Sequence, residues 1–135
     1  MIANGSYRRW MVFLAGLCVF GASFFLPAVN AGGQAGRLKG WVCAWFALFH
    51  GLSWDPLSLL LVPAGLVNPL IVLYAALRVS GIAVRFHRPL AVSAVVCVAA
   101  SWAFLALTHA AILIGHVAWV AGILLIVAKE ARALK

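Results

Sequence analysis

From Pro89 to Ala128 the chain carries no charged residue. About forty residues of helix, at 1.5 Å each, extend about 60 Å, twice the roughly 30 Å hydrocarbon core of a bilayer. Such a run must fold back on itself, and the polar dipeptide Thr108-His109 is the place to turn. The run therefore predicts a hairpin of two membrane-crossing helices, 90–107 and 111–128, closed by Lys129, Arg132 and Lys135 on the same side as Arg85 and Arg88. Composition agrees. With 67% of residues hydrophobic and 9% charged, against roughly 45–50% and about 25% in soluble domains, there are too few polar groups to cover a water-facing surface. A soluble globule is excluded, and the length allows one integral membrane domain, 1–135, without a visible internal repeat.

The other crossings are read with the same ruler. Trp10 to Pro27 follows Arg8-Arg9, ends in Phe24-Phe25-Leu26-Pro27, and leads into a small, polar, Gly-rich stretch from Asn30 to Gly36. This predicts a span over 10–27 and an external loop. A secretory leader cleaved after Val29-Asn30-Ala31 competes with it, although the apolar run is long for a leader. Asp55-Pro56 and Asn68-Pro69 each place a capping residue before a proline, the pattern of a helix start. Counting back from Arg85 then gives a span over 68–84 and leaves 41–62 as a helical segment broken at Ser53 to Pro56.

Two topologies follow. Either 41–62 is re-entrant or interfacial and the chain crosses four times with both termini in the cytoplasm, or it crosses with a proline kink and makes five spans. Each places eight basic residues inside, so the positive-inside rule does not choose. Four spans are favoured, because Asp55 near the centre of a crossing helix costs about 2.5–3.5 kcal/mol on insertion scales, whereas at a re-entrant tip it can cap a helix start. The expected fold class is thus all-α, a polytopic transmembrane helical bundle.

Ten Lys and Arg face only Asp55 and Glu130, a net charge of +8. The basic residues lie in small groups between apolar runs, which orients a membrane protein and does not form the basic stripe of a nucleic-acid binder. Two carboxylates, with no Gly-x-Ser-x-Gly elbow, His-Glu-x-x-His or phosphate loop, argue against an enzyme. Cys18, Cys43 and Cys97 sit inside apolar runs without Cys-x-x-Cys spacing, so they read as packing residues. Trp10, Trp41 and Trp54 adjoin polar residues, as in an aromatic belt.

Three functional readings remain. Ala111, Gly115, Ala118 and Gly122 fall at i, i+4, i+7 and i+11, a strip of small side chains that admits another helix closely. It fits Ser93, Cys97 and Ala100 of the preceding helix or a partner protein or second copy, and the latter makes the chain an accessory, assembly or toxin-immunity subunit of a bacterial inner membrane. The second reading gives His50, with His109 or His116, to a b-type haem or a metal ion. The third is a small channel or transporter, for which Ser93, Cys97 and Ser101 at i, i+4 and i+8 are a thin polar line. His87, between Arg85 and Arg88, belongs to a head-group-facing loop.

The order Phe25-Leu26-Pro27-Ala28, Gly32-Gly33, Gly40-Trp41, Asn68-Pro69, then Gly115 with Trp119, resembles that of a group of small uncharacterised bacterial inner-membrane proteins. The resemblance spans most of the chain and implies membrane placement without an activity. His50, Asp55 and His116 are not part of that pattern.

Overall fold

The computed structural model describes residues 3–32, 36–50, 56, 59 and 61–132, and within them the chain is mostly helical. Helix α1 (Ala3–Ser23) leads to strands β1 (Pro27–Asn30) and β2 (Arg37–Lys39) and the short helix α2 (Gly40–His50). Helices α3 (Leu61–Ser80) and α4 (His87–Leu107) are joined through a 3-10 turn at Val84–Phe86, and strand β3 (Ala111–Ile112) precedes helix α5 (Ile114–Arg132). Two stretches, Leu61–Ser80 and Val84–Leu107, are long and apolar enough to cross a membrane.

The chain turns where its long apolar run is most polar. The hydroxyl of Thr108, the C-cap of α4, donates to the carbonyl of Phe104 at 2.9 Å, and His109 takes the left-handed conformation with φ 53°. Through that reversal the Ala110 N–H reaches the carbonyl of Leu105 at 3.2 Å, which the helix end would otherwise leave unpaired.

Elsewhere the expected boundaries move. Helix α1 stops at Ser23, whose hydroxyl folds back to the carbonyl of Phe20 at 2.6 Å, and Pro27, expected to end the helix, begins a strand. Asn68-Pro69 does not open a helix: α3 begins at Leu61, with Pro63 in the first turn and Pro69 inside. A proline in the first turn forfeits no intrahelical bond, so Pro63 is compatible with a helix that starts at Leu61. The expected span 68–84 is therefore 61–80. The last helix starts later than expected, at Ile114, because Ala111–Ile112 is drawn into the sheet. The break expected within 41–62, and Asp55 with it, lies outside the described residues.

The strands are the main departure from an all-helical chain. They form a three-stranded antiparallel sheet in the order β2-β1-β3, pairing Val29 with Leu38 and with Ile112. Gly32 after β1 and Gly36 before β2 both have positive φ, and Asn30 Oδ1 accepts the Gly32 N–H at 3.2 Å. Backbone bonds from Gly40 to Leu26, from Trp41 to Phe24 and from Leu113 to Ala28 tie the sheet to the ends of α1, α2 and α5.

Around this sheet the long helices alternate in direction. Along one seam Gly16 lies against Leu125 and Ile126, Gly122 against Phe20, and Gly115 against the carbonyls of Leu26 and Pro27, so α1 and α5 run antiparallel at close approach. Asn68 meets Trp119 and Arg78 meets Ile126, so α3 runs alongside α5 in the same direction. Helix α4 returns toward the sheet, where Leu105 packs on Ala28 and Val29. The core between the helices is built on Phe13, Ile71, Tyr74, Ala94 and Ile123. Helix α2 stays at the sheet end, with the Ala47 carbonyl and Leu48 against Gly65 of α3.

Candidate functional site

Between the sheet and the helices lies a cavity of about 400 Å³, within the range of small-molecule sites. Every helix and the first two strands contribute. Its walls are largely apolar, including Phe24 just after α1, Val29 of β1, Leu38 of β2, Ala47 of α2, Ala64 of α3 and Phe104 and Leu105 of α4.

The polar groups in the wall are few. The hydroxyls of Ser23 and Ser101 donate to the carbonyls of Phe20 and Val98 at 2.6 and 2.7 Å, and that of Thr108 does the same toward Phe104. These hydroxyls are turned to their own helices, as is usual in apolar surroundings. Asn68 accepts the indole N–H of Trp119 at 2.9 Å, a bond between α3 and α5. His116 is 8% exposed, its ring lies between those of Trp102 and Trp119 with centroids 5.8 and 5.2 Å away, and its buried Nε2 has no hydrogen-bond partner.

The three histidines expected to act together are dispersed. His116 lines the cavity, whereas His50 and His109 do not. His50 is exposed at the end of α2, stacked on Phe46 at 4.1 Å, and His109 is exposed at the turn after α4. Among the described residues no three of His, Cys, Asp and Glu gather as metal ligands. The three cysteines are free thiols, with Cys18 exposed and Cys43 in the cavity wall.

The small-residue strip is divided. Gly115 and Gly122 are buried against the chain's own β1 and α1, not against Ser93, Cys97 and Ala100 of α4. Ala118 is half-buried, and Ala111 is an exposed residue of β3. The close approach inferred from small side chains is present, and its partner is α1.

A second polar group, absent from the sequence reading, sits at the end of the bundle away from the sheet. Arg78 donates to the carbonyl of Ile126 at 2.8 Å and to Tyr74 Oη at 3.3 Å, and Tyr74 donates to Glu130 at 3.4 Å. The Arg78 guanidinium also lies 4.3 Å from the Phe13 ring centroid. The Arg78 side chain thus reaches a carbonyl in the C-terminal half of α5. Glu130 is linked to α3 through Tyr74. The signal available in the sequence was Arg78 itself, a charge within the run read as a span.

No protein-family model matches this chain, and neither a curated protein nor a solved structure matches it.

Proposed function

We propose that the chain is a small polytopic protein of a bacterial inner membrane, crossing four times by α1, α3, α4 and α5, with both termini on the cytoplasmic side. It acts without catalysis, as an accessory, assembly or toxin-immunity subunit that works by contact with another membrane component. The observation that carries this reading is the exterior. Large apolar side chains are exposed on every helix, among them Leu14, Trp45, Leu73, Val96 and Leu124. Patches of that extent on a soluble monomer lead to association, whereas in lipid they are the ordinary outer face.

Charge and length support the same placement. Arg8, Arg9, Arg78, Arg85 and Arg88 belong to the end of the bundle away from the sheet, while Arg37 and Lys39 lie in the sheet. An excess of basic residues marks the cytoplasmic side. The eleven residues of α2 extend about 16 Å, half of what a crossing requires. Trp41, Trp45 and Phe49 form an exposed aromatic ridge along α2, suited to the level of the head groups. An exterior with so few hydrogen-bonding groups is recognised mainly by shape, so the contact surface is an outward helix face and not the buried glycine seam.

Topology reporters test the placement: fusions after Arg9 and after Ser80 are expected in the cytoplasm, and one inserted at Gly32 outside. A photocrosslinking residue at Val96 or Leu124 in native membranes is expected to capture a protein neighbour. Lipid adducts alone at every outward position of α4 and α5 would remove the contact role while leaving the topology standing.

A further inference from the structure

The buried nitrogen in the cavity wall is the feature that the contact role leaves unused. Among the polar side chains there, the hydroxyls are committed to their own helices and Trp119 to Asn68, while His116 Nε2 is buried and unpaired. Leaving a buried donor without an acceptor is unfavourable unless something supplies one. The cavity beside it, about 400 Å³, has the size of small-molecule sites. Its wall is apolar and partly aromatic, with Phe24, Phe46 and Phe104 contributing rings. Water fits such a space poorly, because it needs two to four polar partners and the wall offers fewer unspent ones. An occupant that suits both properties has a mostly apolar body and one oxygen.

We propose that the cavity is the binding site of a membrane-soluble molecule with an apolar body and a carbonyl oxygen, which accepts a hydrogen bond from the imidazole of His116, a residue of the cavity wall. A lipid-soluble quinone and an acyl ester share that chemistry. The apolar body lies toward Ala47, Ala64 and Leu105, and the amide of Asn68, whose oxygen is already held by Trp119, adds donors near the same wall. The site rests on the membrane placement proposed above for its supply of ligand, but not on the contact role, since binding is a property of the isolated chain.

The test uses the purified full chain in dodecylmaltoside micelles, titrated separately with decylubiquinone and with methyl oleate. The readout is the saturable rise in unfolding temperature that a ligand of the native state produces. At least one probe is expected to give such a rise, and which one does so distinguishes a quinone from an acyl ester. His116→Leu is expected to raise the half-saturating concentration about 3–10-fold, the worth of one net hydrogen bond, and His116→Gln, which keeps a donor, to recover part of it. Ala64→Phe fills the space without touching the polar groups and is expected to abolish the rise. Each variant is read against its own unliganded melt, so a change in baseline stability does not enter. No saturable rise with either probe, or the same half-saturation in His116→Leu and Ala64→Phe as in the parent, overturns the proposal. Topology reporters that fail while binding persists would instead remove the membrane placement.

Discussion

Replacing Gly122 with alanine adds one methyl group, and the structure says where it goes. A Cβ at this position would stand 2.6 Å from the backbone nitrogen of Phe20 and 2.8 Å from its Cα. Unstrained contacts of this kind lie at about 3.5–4.0 Å, and a backbone atom has no rotamer by which to withdraw. Helices α1 and α5 must therefore part by close to 1 Å. The same seam holds Gly16 against the backbone of Ile126 at 2.9 Å and Gly115 against the carbonyl of Pro27 at 2.7 Å, so the separation loosens contacts along its length. Overpacking of this type costs about 1–3 kcal/mol. Against it stands the gain of about 0.5–1 kcal/mol from removing a glycine inside a helix, leaving a net loss of about 1–2 kcal/mol. Gly21, on the partner helix α1, is the control, since a Cβ there meets nothing within 4 Å and Gly21→Ala keeps only the favourable part. Unfolding in mixed micelles by increasing fractions of sodium dodecyl sulfate, followed by tryptophan fluorescence, is expected to rank Gly21→Ala above the parent and Gly122→Ala below it. If Gly122→Ala matches or exceeds the parent, the seam is not an internal one and the strip is free for a partner after all.

The polar contacts carry further predictions. Arg78→Met is expected to lose about 1–3 kcal/mol in the same titration through the charged bond to the Ile126 carbonyl, and Arg78→Lys to recover only part because an ammonium lacks the planar fork; full recovery by lysine would contradict the geometry. Trp119→Phe and Asn68→Leu together are expected to cost less than the sum of the two alone, with a coupling of about 0.5–1.5 kcal/mol, whereas strict additivity in this double-mutant cycle would mean that the 2.9 Å bond is not made. Gly36, at φ 56°, is expected to resist Gly36→Ala by about 1–2 kcal/mol, the strain of a left-handed non-glycine residue, seen as a lowered melting temperature.

How much of this was legible depends on whether a residue acts locally or across the chain. The turn at Thr108-His109 was readable because polarity within a long apolar run is a local signal. Helix boundaries near prolines were misread because Pro63 and Pro69 look alike in sequence, and only position relative to the first turn separates a start from an interior proline. The sheet was not readable, since Pro27–Asn30, Arg37–Lys39 and Ala111–Ile112 are too short for period-two alternation and pair across the chain. The glycine strip announced a close approach correctly, but not to which helix. Similarly, His116 was legible as a candidate ligand beside His50 and His109, and its isolation from them was not.

The short motifs that ran in order through the sequence meet in space. Leu26 and Pro27 present their carbonyls to Gly115, Gly40 donates its N–H to Leu26, and Asn68 holds Trp119. Leu26-Pro27, Gly40, Asn68, Gly115 and Trp119 thus each have a packing or hydrogen-bonding partner at the end of the bundle where the cavity lies.

The pairing of the first helix with the last has a consequence for biosynthesis. Gly16 is made more than a hundred residues before the Ile126 against which it packs. At ribosomal rates of about 5–20 residues per second, α1 waits about 5–20 s for its partner. During that interval its grooved face lacks the helix it packs against, and β1 lacks the strand β3 on one edge. The α3–α4 hairpin, local in sequence, is free to assemble first. The cavity is accordingly the last part of the molecule to close, and any molecule held in it enters as the chain is completed or afterwards.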